Sequence, residues 1–368
     1  MASTPRLAML AALVSLAGCG SATSATTSPA VTPTAHAQAT PTPTAAPTPM
    51  PLPALAIIQV GSALVAVDAT GKVQWNLTQA NMGTLLSVGP QDTITARVAG
   101  PNVLLSATPG STSTGKVVVL DGTGTSVGGG SFTPNQFQDD VFGGPTGSEW
   151  AYSVDDSPSA STRHHGRIVV AGIGVPTHTV FSWVAPTGYN ELVTGWTDMG
   201  IIMKRVGQGG CGVGFHDDNA TFLIDPNTGT LTDLFSGSQH YGDVRHHVTA
   251  GFAKSSSAVL VNGTAFDEPG TVANAVYVSP DGARVGVQRF FLGGCGGGPA
   301  NQRLDTELID VASGAHTDIA GCGITGWFDA ERFVCAALGD QTQRLENITG
   351  QSGAVLGNGQ YLGALTGA

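Results

Sequence analysis

A short hairpin, written twice with nearly the same letters, most constrains what this chain can fold into. FLIDPNTGTLTDLF runs from Phe222 to Phe235, and TELIDVASGAHTDI runs from Thr306 to Ile319. Each is an apolar run, an Asp, a tight turn closing on Gly, and a second alternating run. The Asp side chain caps its own turn, and Gly supplies the positive φ that closes it. Asp225 and Asp310 lie 85 residues apart (310 − 225), too far for one repeat and about right for two.

Related hairpins recur along the chain. They are AVDATGKVQW (Ala66 to Trp75), KVVVLDGTGTSV (Lys116 to Val127), RIVVAGIGVPTHTVF (Arg167 to Phe181), AVLVNGTAF (Ala258 to Phe266) and RLENITGQSGAVL (Arg344 to Leu356). The turns open at Asp68, Asp121, Gly172, Asp225, Asn262, Asp310 and Asn347, so six intervals cover 279 residues (347 − 68), a mean near 46. That is close to the length of a four-stranded propeller blade. Two more markers keep the period. TGWTD at Thr194 and TGWFD at Thr325 are 131 apart (325 − 194), near three blades; GGCGVG at Gly209 and GGCGGG at Gly293 are 84 apart (293 − 209), near two. A β-sandwich has frequent turns but no such long repeat.

The fold class is therefore all-β: a single β-propeller over residues 54–368, counted as seven four-stranded blades. The weaker third, fifth and seventh copies leave six or eight open. One blade cannot bury both of its faces alone, and a closed ring gives every blade two neighbours. Closure is expected between the strand near Ile57 to Val60 and the C-terminal run Tyr361 to Leu365. Charged residues make up only 11% and Gly numbers 52, in keeping with short strands and turns, and no helical periodicity of useful length follows residue 30. The net charge of −11 excludes a nucleic-acid partner, which needs a basic surface.

The N-terminus has a different texture. Arg6 precedes an apolar stretch, Leu7 to Leu16, too short to span a bilayer. Leu16, Ala17, Gly18 and Cys19 then resemble the bacterial lipoprotein lipobox. The resemblance implies a signal peptide over residues 1–18, acylation of Cys19, membrane lipid as partner, and a cell-membrane location facing away from the cytoplasm. Residues 19–53 then form a disordered linker rich in Pro, Thr and Ala.

Within the propeller, AVDATGKVQW resembles the pyrroloquinoline-quinone propeller repeat through Asp68, Thr70, Gly71, Lys72 and Trp75. VYVSPDGARVGV resembles the Tol-system propeller repeats through Ser279, Pro280, Asp281 and Gly282. Both imply the fold. The docking Trp is not repeated in every blade, Phe235 standing near its place in the fourth hairpin, and no cofactor is expected.

Four further cysteines suggest disulfides in an exported domain, with three possible pairings. Cys322 and Cys335 flank ITGWFDAERFV, two strands around a turn, where paired positions come within bonding reach. Cys211 with Cys295 completes the favoured set, and Cys295 with Cys322 is the alternative. His164, His165, His240, His246 and His247 read as solvated or hydrogen-bonded loop residues. His246 and His247 are neighbours, and on a strand they would point to opposite faces, so no metal site is expected. The acidic pairs Asp139-Asp140, Asp155-Asp156 and Asp217-Asp218 sit among loop residues. Trp75, Trp150, Trp183, Trp196 and Trp327 read as packing between blades, an aromatic ligand platform being the sharper alternative. No nucleophile elbow or phosphate loop is present.

The functional expectation is a non-enzymatic binding or assembly module at the cell envelope, taking an envelope protein or a glycan. Its contacts are expected in the Gly-rich loops, at Gly209, Gly210, His216, Asp217, Gly293 and Gly294, with no catalytic residue. The alternative is a glycan-directed hydrolase or lyase using carboxylates at the propeller face. Two carboxylates converging at the channel mouth would favour it.

Overall fold

Seven antiparallel sheets of four strands each follow one another along the chain. They belong to a computed structural model that describes residues 54–366, apart from 109–113, 136–139, 159–162, 208–219, 236–239, 254–256 and 292–302. The seven-bladed propeller is as the hairpin period predicts. The signal, Cys19 and the linker lie outside the described residues, as do Cys211, Cys295, Gly209, Gly210, His216, Asp217, Gly293 and Gly294.

The repeated hairpins are the third and fourth strands of each blade, and their turns work as the sequence implies. Asp68 Oδ1 accepts from the Thr70 amide at 2.8 Å and the Lys72 amide at 3.1 Å, while Gly71 takes φ +85°. Asp225 and Asp310 do the same for Asn227 and Ser313, with Gly229 and Gly314 at φ +70°. Trp75 docks on the next blade, its Nε1 donating to the Gly122 carbonyl at 2.9 Å.

The innermost strands are Gln360–Leu365, Ile94–Ala99, Phe142–Gly143, Tyr189–Thr197, His240–Arg245, Thr271–Val278 and Gly323–Trp327, for blades 1 to 7. Blade 1 takes its inner strand from the end of the chain. Leu55 pairs with Leu365 and Gln59 with Gln360, the closure expected from position. Buried apolar clusters then fill the seams. Leu55, Ile57 and Leu64 of blade 1 meet Val103, Leu105 and Leu120 of blade 2; Ala56, Ile58 and Val67 meet Phe328, Val334 and Leu345 of blade 7. Trp150 and Trp183 are buried core residues.

Cys322 and Cys335 form the expected disulfide, with Cα atoms 5.6 Å apart. His164 is the hydrogen-bonded kind of loop histidine: it is buried, with Nδ1 2.7 Å from Asp155 Oδ2. Two local expectations need correction. A helix, Gln79–Leu86, links blades 1 and 2; Thr78 caps it and the Asn81 side chain returns the bond to the cap. His246 and His247 do not sit on a strand: they are the two central residues of the turn between Arg245 and Val248.

Candidate functional site

Where the innermost strands end, the ring opens into a cavity of about 580 Å3. All seven blades line it, through the last residues of the inner strand and the turn that follows. The two halves differ in chemistry. Blades 1 to 3 contribute Gly100, Gly143, Gly144, Pro145, Gly363 and apolar neighbours; blades 4 and 5 contribute Trp196, Asp198, Asp243, Arg245 and His246. Close approach explains the glycines: a Cβ on Gly144 would stand 3.2 Å from the Trp196 ring, and one on Gly143 only 2.3 Å from Ala99 Cβ.

Asp198 ends the TGWTD motif, in the turn between Thr197 and Gly200. Its carboxylate accepts from the His246 amide at 3.0 and 3.1 Å and lies 3.0 Å from His246 Nδ1. Nδ1 thus stands at ion-pair distance from the carboxylate, and Nε2 has no hydrogen-bond partner among the described residues. Both side chains are exposed to the mouth, at 38% and 40%.

The backbone beneath them is strained. His246 and His247 have φ +50° and +61°, two of only four positive-φ non-glycine residues among the described ones. A two-residue hairpin turn of this hand ordinarily carries Asn-Gly. The neighbours hold it in place: the His247 amide donates to Met199 Sδ at 3.2 Å, and Gly282 leaves room where a Cβ would come within 2.7 Å of His246 Cβ. Strain of this kind gathers at functional sites.

The second carboxylate at the mouth is already committed. Asp243 accepts from the amides of Val244 and Val278, each at 2.9 Å, and pairs with Arg245 Nε at 3.1 Å. It is a buried anchor that joins blades 5 and 6 and aims Arg245, itself 40% exposed, at the cavity. Trp196 and Tyr277, both half-buried, supply aromatic surface, with the buried Trp327 and Phe328 behind it. The Tyr361 hydroxyl donates to the Trp327 carbonyl at 2.7 Å. Burial pushes its pKa up, Asp329 adds to the rise and Arg245 opposes it; burial and then Asp243 raise that of Tyr277. Both phenols stay protonated and neither is a base.

Among the described residues, Asp140, Asp155 and Asp156 do not line the mouth. Asp155 binds His164, Asp156 holds Arg167 with two bonds, and Asp140 binds Arg97; Asp139, Asp217 and Asp218 lie outside the described residues. The Gly-rich loops lie outside the described residues.

No family model and no curated protein sequence matches the chain. Several solved structures share the fold. Oligopeptidase B from Trypanosoma brucei matches with a TM-score of 0.53 at 9% identity, over 83% of this chain and 48% of its own. An acylaminoacyl peptidase matches with 0.50 at 10% identity, over 83% and 50%. An oligogalacturonate lyase crystallised with manganese matches with 0.49 at 12% identity, over 82% and 84%. The chain spans about half the length of these peptidases. The expectation of a non-enzymatic binding module is corrected here only so far as the two peptidases of similar fold are enzymes. At such identities the likeness shows the fold alone, and the chemistry must be argued from the site.

Proposed function

We propose that this chain is a glycan-directed enzyme of the lyase or hydrolase class, with its chemistry at the channel mouth on blades 4 and 5. The observation that carries the reading is the Asp198–His246 pair, an imidazole held by a carboxylate in a strained turn at the rim of an aromatic-lined cavity. Such a pair transfers protons near neutral pH.

The charges favour elimination over hydrolysis. Glycoside hydrolysis by two carboxylates needs both at the scissile bond, and Asp243 is bound by three donors. Elimination from an acidic sugar needs one base and one positive charge. His246 Nε2 takes the proton from the carbon beside the sugar carboxylate. The electron pair forms a C=C bond, the β C–O bond breaks, and the leaving oxygen takes a proton from the imidazolium. Arg245 offsets the negative charge that builds on the carboxylate. Trp196, half-buried at the rim, offers aromatic surface for a sugar ring.

The lipobox resemblance makes the enzyme an exported one, tethered by Cys19 through the linker. Cys19→Ala then moves the chain from the membrane fraction to the soluble one, measured by fractionation of expressing cells. For the activity, acidic and neutral polysaccharides are incubated with the wild type and with His246→Asn. Cleavage of an acidic glycan by the wild type, lost in the variant, supports the reading. No cleavage of either class, or equal cleavage by both proteins, refutes it.

A further inference from the structure

A second convergence of side chains lies on blade 6, away from the mouth. Glu307 is on the third strand, Arg303–Asp310, and His316 and Asp318 are on the outer strand, His316–Ile319. Glu307 and Asp318 stand directly opposite each other in the ladder. They therefore share a face, and His316, two residues before Asp318, shares it too. One nitrogen or oxygen from each of the three residues lies within 4.8 Å of the other two. Glu307 Oε1 is already 3.0 Å from His316 Nδ1. Like charges placed directly opposite weaken a ladder, so a carboxylate pair here calls for a positive charge.

The surrounding charges do not supply enough of it. Asp305, Glu307 and Asp318 all act on Glu268, which comes from the connection between blades 5 and 6. Glu268 and Glu307 face the Arg289 guanidinium, and Asp305 faces that of Arg303. Arg289 is buried and engaged by Glu307, with Nε 2.8 Å from Oε2, and Arg303 Nε is 2.8 Å from Asp305 Oδ2. Neither guanidinium is bonded to Asp318 among the described residues.

We propose that Glu307, His316 and Asp318 bind one divalent transition-metal cation through imidazole nitrogen and carboxylate oxygens, with water completing the shell on the open side. The donor set decides the class. Calcium and magnesium take oxygen ligands, whereas imidazole with carboxylates suits zinc or manganese. The scaffold is rigid: Glu307 is 3% exposed and braced by Arg289, while His316 is 62% exposed and open to the incoming ion. The ion replaces the His316–Glu307 hydrogen bond and neutralises the opposed carboxylates. It thereby joins the outer strand of blade 6 to the strand beneath it.

The test is calorimetric titration of the chelator-stripped full chain with zinc chloride and manganese chloride, calcium chloride serving as comparator. Asp318→Asn and His316→Ala are titrated alongside; both residues are exposed, so the fold survives their loss. The expected result is one zinc or manganese ion per chain, with affinity lowered at least ~10-fold by each substitution, the scale seen for lost metal-site partners. Saturable binding unchanged in both variants places the ion elsewhere and overturns the proposal. Absence of saturable binding overturns it, and so does preference for calcium. The readout is independent of glycan turnover, so this site and the channel mouth fail or stand separately.

Discussion

Blades 1 and 2 meet through a deep apolar seam, whereas blades 4 and 5 meet through a thin one. In the first, Leu55, Ile57, Leu64 and Ala66 face Val103, Leu105, Val118 and Leu120, with Met82 and Leu86 of the short helix closing one side. In the second, the buried apolar contact among the described residues centres on Ile202 and Val244, flanked by Met199, Leu223 and Leu234. What crosses that seam at the mouth is polar: Asp198 to His246, and the His247 amide to Met199. The proposed chemistry thus sits where the ring gives up core for charge.

Substitutions on the two seams separate stability from activity. His246→Asn carries the largest effect. Turnover falls by about 10²–10⁴-fold, the usual worth of a general acid–base group. Unfolding midpoints in urea hold or rise, because Asn tolerates the left-handed turn better than most residues. A variant that unfolds early breaks the assignment of strain to function. Next is truncation in the core. Leu105→Ala costs about 2–5 kcal/mol and Ile202→Ala falls at the low end of that range, since fewer apolar neighbours are left around the cavity. Equal losses from the two remove the contrast between the seams.

A smaller effect belongs to Gly282→Ala, at φ +69° and against His246. Its backbone cost is of order 1–2 kcal/mol. Displacement of the imidazole lowers kcat while the far seam keeps its protection from amide exchange, measured residue by residue.

Acid titrates the whole ring gently. Hydrogen bonds from Thr70 and its neighbours hold the Asp68 carboxyl at about 2, below its ordinary 3.8, and similar bonds lower those of Asp225 and Asp310. A carboxyl depressed by folding contributes stability fully above its unfolded value and loses it as pH falls through the folded one. Urea midpoints therefore decline between about pH 4 and pH 2 as these turns protonate, and Asp68→Asn flattens the decline slightly. A midpoint that rises over this interval contradicts the turn assignment.

The blade count was legible because the hairpin turns are local. Asp68, Asp121, Asp225 and Asp310 each bind amides two or more residues ahead, and the following Gly takes positive φ, so every turn leaves its mark within a few letters. The site was not legible in that way. Asp198 and His246 are 48 residues apart, one blade period, and meet only because successive turns line one rim. That spacing was the available signal: an Asp and a His at matching places in consecutive repeats. The His246–His247 turn lacks the Gly that would have announced it. The described acidic pair at 155 and 156 is structural for a plain reason. Neighbours near a strand end point to opposite sides, so Asp155 turns inward to His164 and Asp156 outward to Arg167.

The most direct measurement follows a uronate-containing oligosaccharide through a single turnover with the wild type, Asp198→Asn and His246→Asn, reading the ultraviolet absorbance of the unsaturated sugar end. The account predicts product from the wild type and a loss of about 10²-fold or more in both variants. No unsaturated product from the wild type, or equal product from all three proteins, contradicts chemistry at the mouth of blades 4 and 5.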